Sequence, residues 1–370
     1  MKQNFLLLFF LLIGLSLYSQ EKNTKIFTID ANYFYGSILL HNKDIAHLIT
    51  EHPEGLILSY NRKTFGNLRW QQEYNYPDWG FSSVFQNSKN NTLGNNFGVY
   101  AHLNFYFFKR NLQFRIAQGI AYNTNPFDFE TNIKNNAYGS HFLSTTYILL
   151  NYSKENIFNN IGVQAGLTFL HYSNANITAP NSSTNALLFN VGVNYKFNNK
   201  SIEFIKDTTY AKIKEPIKFN VVLRGGINES DYLNLGQHPF IVVSAYADKR
   251  VGYKSTLTFG ADVFFSKFLK NEIEYLAAAF PIAVFPSRRV SGDEDYKRVG
   301  LFFGHDLHIN KFAVVTQLGY YVYYPYDFEG RIYQRIGLKY FINKKLFAVI
   351  TLKNHGAKAE AIEFGMGYRF

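Results

Sequence analysis

Taken two residues at a time, most of this chain alternates large apolar side chains with small or polar ones, as strands with two unlike faces do. The last segment shows the pattern best. Ile362, Phe364, Met366, Tyr368 and Phe370 are large and apolar, while Ala361, Glu363, Gly365, Gly367 and Arg369 between them are small or charged. One face suits lipid and the other suits a polar lumen. Comparable segments run over 25–36, 54–63, 79–88, 96–109, 111–122, 141–153, 159–173 and 185–197. They continue over 216–228, 239–251, 253–267, 297–308, 310–323, 331–341, 342–353 and 358–370. The pattern therefore predicts about 16 antiparallel strands, with a range of roughly 12–16 because segment ends are blurred.

Connections alternate short and long, as in barrels with tight periplasmic turns and long outer loops. Tight turns fall near 109–111, 249–253, 310–311 and 343–345, and long connections span 37–53, 123–140, 174–184, 229–238, 268–296 and 324–330. Two connections on the inner side are also long, 64–78 and 198–215, and the second falls where two subdomains would divide. Helices fit 41–51 and 268–278 as loop elements. A soluble β-sandwich would alternate too, but strands of about ten or more residues and a terminal Phe370 favour a membrane barrel. The expected fold is all-β, a single transmembrane outer-membrane β-barrel over 21–370.

Composition narrows the setting. Lys2 precedes an apolar stretch over 5–17, broken only by Gly14 and Ser16 and followed by Ser19 and Gln20. This reads as a secretory signal over 1–20, cleaved near Ser19 or Gln20. After it, no apolar run approaches the roughly 20 residues of a spanning helix. The 370 residues contain no cysteine, which removes disulfides, thiolate metal sites, cysteine nucleophiles and a lipidated N-terminal cysteine. A net charge of +11 with dispersed Lys and Arg, on an exported chain, points to an anionic membrane surface rather than nucleic acid. The 37 Phe and 28 Tyr suit interfacial girdles.

One stretch carries candidate chemistry, 171–185, with the sequence HYSNANITAPNSSTN. The apolar face of the preceding strand, Ile161, Val163, Ala165, Leu167 and Phe169, continues into His171 and Ser173. On the following strand, Leu187, Phe189, Val191, Val193 and Tyr195 are continued upward by Asn185. Period-two geometry thus sends His171, Ser173 and Asn185 to the lipid side of one hairpin, at its extracellular rim. Polar groups on such a surface are costly. A histidine base beside a serine nucleophile there could reach a lipid ester in place, with the Asn174 amide or loop N–H groups near the oxyanion.

The run His171, Tyr172, Ser173, Asn174, Ala175, followed by Pro180 and Asn181, resembles the signature of the outer-membrane lipid A 3-O-deacylases. It is closest to the acyloxyacyl hydrolase-like proteins of Bacteroidetes-type bacteria. Trp70, Gln71, Gln72 with Tyr74, Asn75, Tyr76 and Pro77, and Asn135, Asn136, Ala137, Tyr138, Gly139, Ser140 and His141, are similar to the longer relatives. The resemblance to the short deacylases covers 25–197; strands over 216–370 have no counterpart in them. It implies a β-barrel that hydrolyses an acyl ester of lipopolysaccharide, with His171 as base, Ser173 as nucleophile and Asn174 at the oxyanion. It implies neither metal nor cofactor. Where the short enzymes carry Glu to orient the histidine, this chain has Asn185, so Asp128 or Glu130 of the adjacent loop is a candidate for the missing acid.

Other groups read as structural. Ser140 and His141 are adjacent, so their side chains diverge on a strand. Asp293, Glu294 and Asp295 read as a solvated loop, with calcium binding the sharper alternative. Arg288, Arg289 and Lys134 could meet lipid phosphates but also suit plain outer loops, and Tyr320, Tyr321, Tyr323, Tyr324 and Tyr326 read as girdle. Arg115, Gln164, Asn190 and Asn194 face inward by parity. They fit both the deacylase and the alternative, a non-enzymatic porin-like channel or scaffold.

Overall fold

The computed structural model describes residues 26–198, 203–207, 209–210, 213–280, 290–356 and 358–370. The expected signal at 1–20 and the pair Arg288 and Arg289 lie outside the described residues. Sixteen strands form where alternation marks them. The first eight are β1 Phe27–Ile38, β2 Glu54–Arg62, β3 Asp78–Asn87, β4 Asn95–Phe107, β5 Leu112–Asn123, β6 Phe142–Phe158, β7 Ile161–Ser173 and β8 Thr184–Phe197. The rest are β9 Lys218–Glu229, β10 Gln237–Arg250, β11 Ser255–Ser266, β12 Arg298–Ile309, β13 Phe312–Tyr323, β14 Ile332–Phe341, β15 Leu346–His355 and β16 Lys358–Arg369. The helix expected at 41–51 is a 3-10 turn, Lys43–Leu48. Two α-helices occur in connections, α1 Arg69–Glu73 and α2 Lys267–Ala279.

The strands close twice, not once, and this corrects the expected single barrel. β1 pairs with β8 from Phe27↔Phe197 to Ile38↔Ala186, which seals the first eight strands. β16 pairs with β9 from Phe364↔Gly225 to Arg369↔Asn220, which seals the second eight. The physical reason lies in the inward residues. An eight-stranded barrel has a lumen just wide enough to be filled by side chains, and each half of this chain supplies a filling of its own.

In the first barrel Arg115 is fully buried and donates to Asp30 Oδ2 at 2.7 Å, Ser59 Oγ at 2.6 Å, Asn61 Oδ1 at 2.9 Å and Asn104 Oδ1 at 2.6 Å. In the second, Arg335 reaches Asp262 at 2.9 Å and Glu363 at 2.6 Å. A second cluster joins Glu360 to Arg298 at 2.6 Å, Lys353 at 2.5 Å and His355 at 2.7 Å. Buried ions hold only when paired in this way. Strict parity would send Glu360 outward with Ile362. The ladder shifts between Lys353 and Asn354, and the resulting bulge turns Glu360 into the lumen.

The tyrosine girdle is also corrected in part. Tyr320 and Tyr323 are exposed on the outer wall, but Tyr321, Tyr324 and Tyr326 are buried at the mouth of the second barrel. Tyr321 stacks on Tyr324 at 4.9 Å, and Tyr326 donates to Glu272 of α2 at 2.6 Å.

Among the described residues no ladder joins the two barrels. They are fastened at both ends. At the short-turn end the Tyr74 hydroxyl donates to the His308 carbonyl at 2.7 Å, and Arg69 of α1 stacks over Tyr253 at 4.4 Å. Ile205, after β8, docks there on the other long inner connection, its carbonyl accepting from Tyr76 at 3.0 Å. At the long-loop end, the connection between β7 and β8 meets the ends of β9 and β10.

Candidate active site

The site is built where β7 and β8 run out at the long-loop end. Along β7 the outward residues Val163 and Leu167 are about half exposed, while Leu170 and Tyr172 are buried inside. His171 continues the outward face, and Asn185 does so on β8, directly opposite it in register. Opposed cross-strand residues have Cβ atoms about 4.5–5.5 Å apart, and here the side chains meet. Asn185 Oδ1 lies 2.6 Å from His171 Nδ1. A carboxamide oxygen can only accept, so the Nδ1–H donates and the neutral ring presents a bare Nε2. The Thr145 hydroxyl donates to the His171 carbonyl at 2.8 Å and pins the strand end.

Ser173 is the last residue of β7 and is only 5% exposed, covered by the loop that follows. Its hydroxyl donates to Asn181 Oδ1 at 3.0 Å and accepts the Ala175 N–H at 2.9 Å, so it rests on the loop rather than on the imidazole. Asn181 Oδ1 also takes the Asn174 N–H at 3.0 Å. The Asn174 side chain is turned into the loop, with Nδ2 donating to the Thr178 carbonyl at 2.6 Å and Oδ1 accepting the Asn176 N–H at 3.0 Å. Ala175 and Asn176 have φ of +53° and +63°, the left-handed region that side chains other than Asn and Gly seldom enter. That reversal aims the Ala175 N–H back at Ser173.

The structure thus brings together His171 with Asn185, and Ser173 with Asn174. His171, Ser173, Asn174, Ala175 and Asn181 all line one cavity. Asn181 is the residue that sequence reasoning passed over. It belongs to the recognised run, yet nothing in strand periodicity signals that its carbonyl would hold the serine. Asp128 does not supply an acid to the histidine. Its carboxylate accepts the Glu130 N–H at 3.0 Å and the Thr131 N–H at 2.8 Å in its own exposed turn. Ser140 and His141 lie in the bend before β6, not on a strand: the Ser140 hydroxyl donates to the Phe142 carbonyl at 2.9 Å, while His141 stacks on Tyr122 at 5.1 Å and bonds the Asn123 carbonyl at 2.8 Å. Glu294 closes its own turn by accepting the Ser291 N–H at 2.7 Å and the Gly292 N–H at 3.0 Å.

Below the site the cavity runs between the barrels and measures about 4490 Å³. Drug-sized ligands occupy roughly 300–1,000 Å³, so this space suits something much larger. Outward side chains line both walls, including Phe81, Val99 and Ile120 of the first barrel and Ile227, Leu338 and Phe364 of the second.

Comparison with known proteins bears on both barrels. The family described as lipid A 3-O-deacylase (PagL) matches residues 54–194, which lie within the first barrel. The family described as acyloxyacyl hydrolase, C-terminal domain, matches residues 217–370, which hold the whole of the second. No curated protein matches the chain. Among solved structures, a Rhodopseudomonas blastica porin triple mutant is 9% identical, over 93% of this chain and 100% of that one, with a TM-score of 0.19. The Acinetobacter baumannii outer membrane protein Omp33 is 10% identical, over 94% and 98%, also with a TM-score of 0.19. Superpositions that poor add nothing to the fold described above.

Proposed function

Because the chain belongs to the lipid A 3-O-deacylase family, we propose that it is an outer-membrane hydrolase that removes a fatty acyl chain from lipid A by serine–histidine chemistry. The observation that carries this reading is the His171–Asn185 hydrogen bond at 2.6 Å, which leaves Nε2 free as a base on the same cavity that Ser173 lines.

The reaction starts with a rotation of Ser173. Its hydroxyl leaves Asn181 and swings to His171 Nε2, a tightening common when substrate binds. Nε2 takes the hydroxyl proton while Oγ attacks the ester carbonyl. The same rotation releases the Ala175 N–H, which now has no acceptor and stands ready for the oxyanion, while the Asn174 N–H and side-chain amide stay on Asn181 and Thr178. The imidazolium gives its proton to the departing sugar oxygen, and an acyl-serine remains. Water, deprotonated by His171, then splits that ester and restores the hydroxyl. Neither a metal nor a cofactor has a part in this scheme.

The long-loop end faces outward in this reading, so the dyad meets the outer leaflet. The substrate's fatty chains lie along the apolar walls between the barrels. The alternative of a channel is disfavoured by the lumens, both crossed by buried ion pairs. Mass spectrometry of lipid A from cells making the wild type or Ser173→Ala tests the proposal. Loss of one ester-linked chain with the wild type alone is expected, and identical spectra would refute it.

A further inference from the structure

The fastening at the long-loop end falls on the loop that follows the nucleophile. Glu229 ends β9 and is 7% exposed. Its N–H donates to the Asn176 carbonyl at 3.0 Å, and its carbonyl accepts Asn176 Nδ2 at 3.0 Å. Its carboxylate Oε2 accepts the Ala179 N–H at 3.1 Å. Gln237, opposite Glu229 in the ladder, donates Nε2 to the Ile177 carbonyl at 2.9 Å and to Thr178 Oγ1 at 2.8 Å. Four successive residues, 176–179, are therefore held by the second barrel.

These four sit between Asn174 and Asn181, the residues that touch or flank Ser173. A carboxylate buried this deeply is costly unless it is hydrogen-bonded. Among the described residues no Lys or Arg pairs with Glu229, and its side-chain bond goes to the loop. Hydrogen bonds to a charged acceptor are the strong ones. The first barrel leaves this loop outside its sheet: residues 174–181 have local bonds, such as Asn174 to Thr178, and only the next two are tied to another of its loops, with the Ser182 N–H donating to the Asn136 carbonyl at 3.0 Å and the Ser183 N–H to the Ala137 carbonyl at 3.1 Å.

We infer that Glu229 is a positioning residue for the deacylation: the second barrel completes the active site by fixing the 174–181 loop, so that the Ala175 N–H meets the oxyanion. This rests on the serine–histidine reading above. In the reading above the fatty chains lie along the apolar walls between the barrels, so a loosened loop acts on turnover more than on binding. Misplacement of catalytic groups by about 1 Å can cost roughly a hundredfold in rate.

The test uses the full-length protein in vesicles of lipopolysaccharide and phospholipid, with fatty acid release followed at several substrate densities. Glu229→Ala is expected to lower kcat roughly ten- to a hundredfold with KM within about twofold. Glu229→Gln keeps an oxygen for the Ala179 N–H and is expected to recover most of the loss. A heat-modifiable gel shift identifies folded protein; if Glu229→Ala does not fold, Gln237→Ala replaces it, with the same split expected. An active wild type whose folded variant keeps its kcat, or changes KM alone, overturns this inference only. So does a Gln variant as slow as the Ala variant. A wild type that releases no acid sinks the deacylase reading and this inference with it.

Discussion

Asn185→Asp should make the enzyme faster. In the proposed reaction His171 becomes an imidazolium as it takes the Ser173 proton, and the group behind it is a neutral carboxamide 2.6 Å from Nδ1. Aspartate has the same shape, keeps the hydrogen bond and adds a charge. With the two charge centres about 4 Å apart and an effective dielectric constant near 20, the attraction is about 4 kcal/mol. Both residues are partly exposed, and water screens such pairs, so roughly half survives. About 2 kcal/mol in the transition state is roughly a thirtyfold rise in kcat. That is below the factor of about 10⁴ that separates Asp from Asn in a serine protease, where the acid is buried. The assay is fatty acid release by purified protein in mixed detergent–lipopolysaccharide micelles, at saturating substrate. Asn185→Asp combined with Ser173→Ala serves as control and should be inactive. A folded Asn185→Asp protein no faster than its parent would mean that no positive charge builds on His171 in front of residue 185.

Three further outcomes follow from the fold. Arg335→Leu leaves Asp262 and Glu363 with only the more distant Arg224, at 4.0 and 3.7 Å, inside the second barrel, a loss of up to roughly 3–5 kcal/mol; it should lower the temperature at which the folded band converts on gels, and an unchanged midpoint would show that the buried pairs are not what holds that barrel. Ile227→Trp narrows the space between the barrels and should reduce kcat/KM for long acyl chains about tenfold relative to short ones, within the roughly 1–3 kcal/mol that a methylene is worth in a pocket. Mixed ester substrates analysed by mass spectrometry measure this, and an unaltered length preference would remove the chains from that space. In planar bilayers the wild type should give no conductance steps; regular steps would show that the lumens are open.

The strands were legible because alternation is a direct consequence of one wall meeting lipid and the other meeting a packed lumen. Thus Phe364 and Met366 are half exposed while Glu363 is fully buried. His171 and Asn185 were legible for the same reason, as the next two outward positions of a hairpin. The count of barrels was not. Period two says which way a side chain points but not where a sheet closes, and closure was decided by partners as distant as Phe27 and Phe197. Glu360 departs from strict parity because a bulge shifts it by one. Tyr321 obeys parity and points inward, whereas Tyr324 and Tyr326 lie past the strand end, where alternation no longer applies. Glu229 and Asn181 act through loop geometry, and no spacing along the chain announces that.

Two convex cylinders that, among the described residues, are tied at their rims leave a space between their walls. In the proposed reaction a lipid slips between them by drifting within the plane of its own leaflet, without passing through water or past a lid. Its shortened remnant can drift out the same way. Traffic to the serine is then two-dimensional, and the pace of supply is set by how freely neighbouring lipids trade places, so stiffening the leaflet should starve a perfectly intact enzyme.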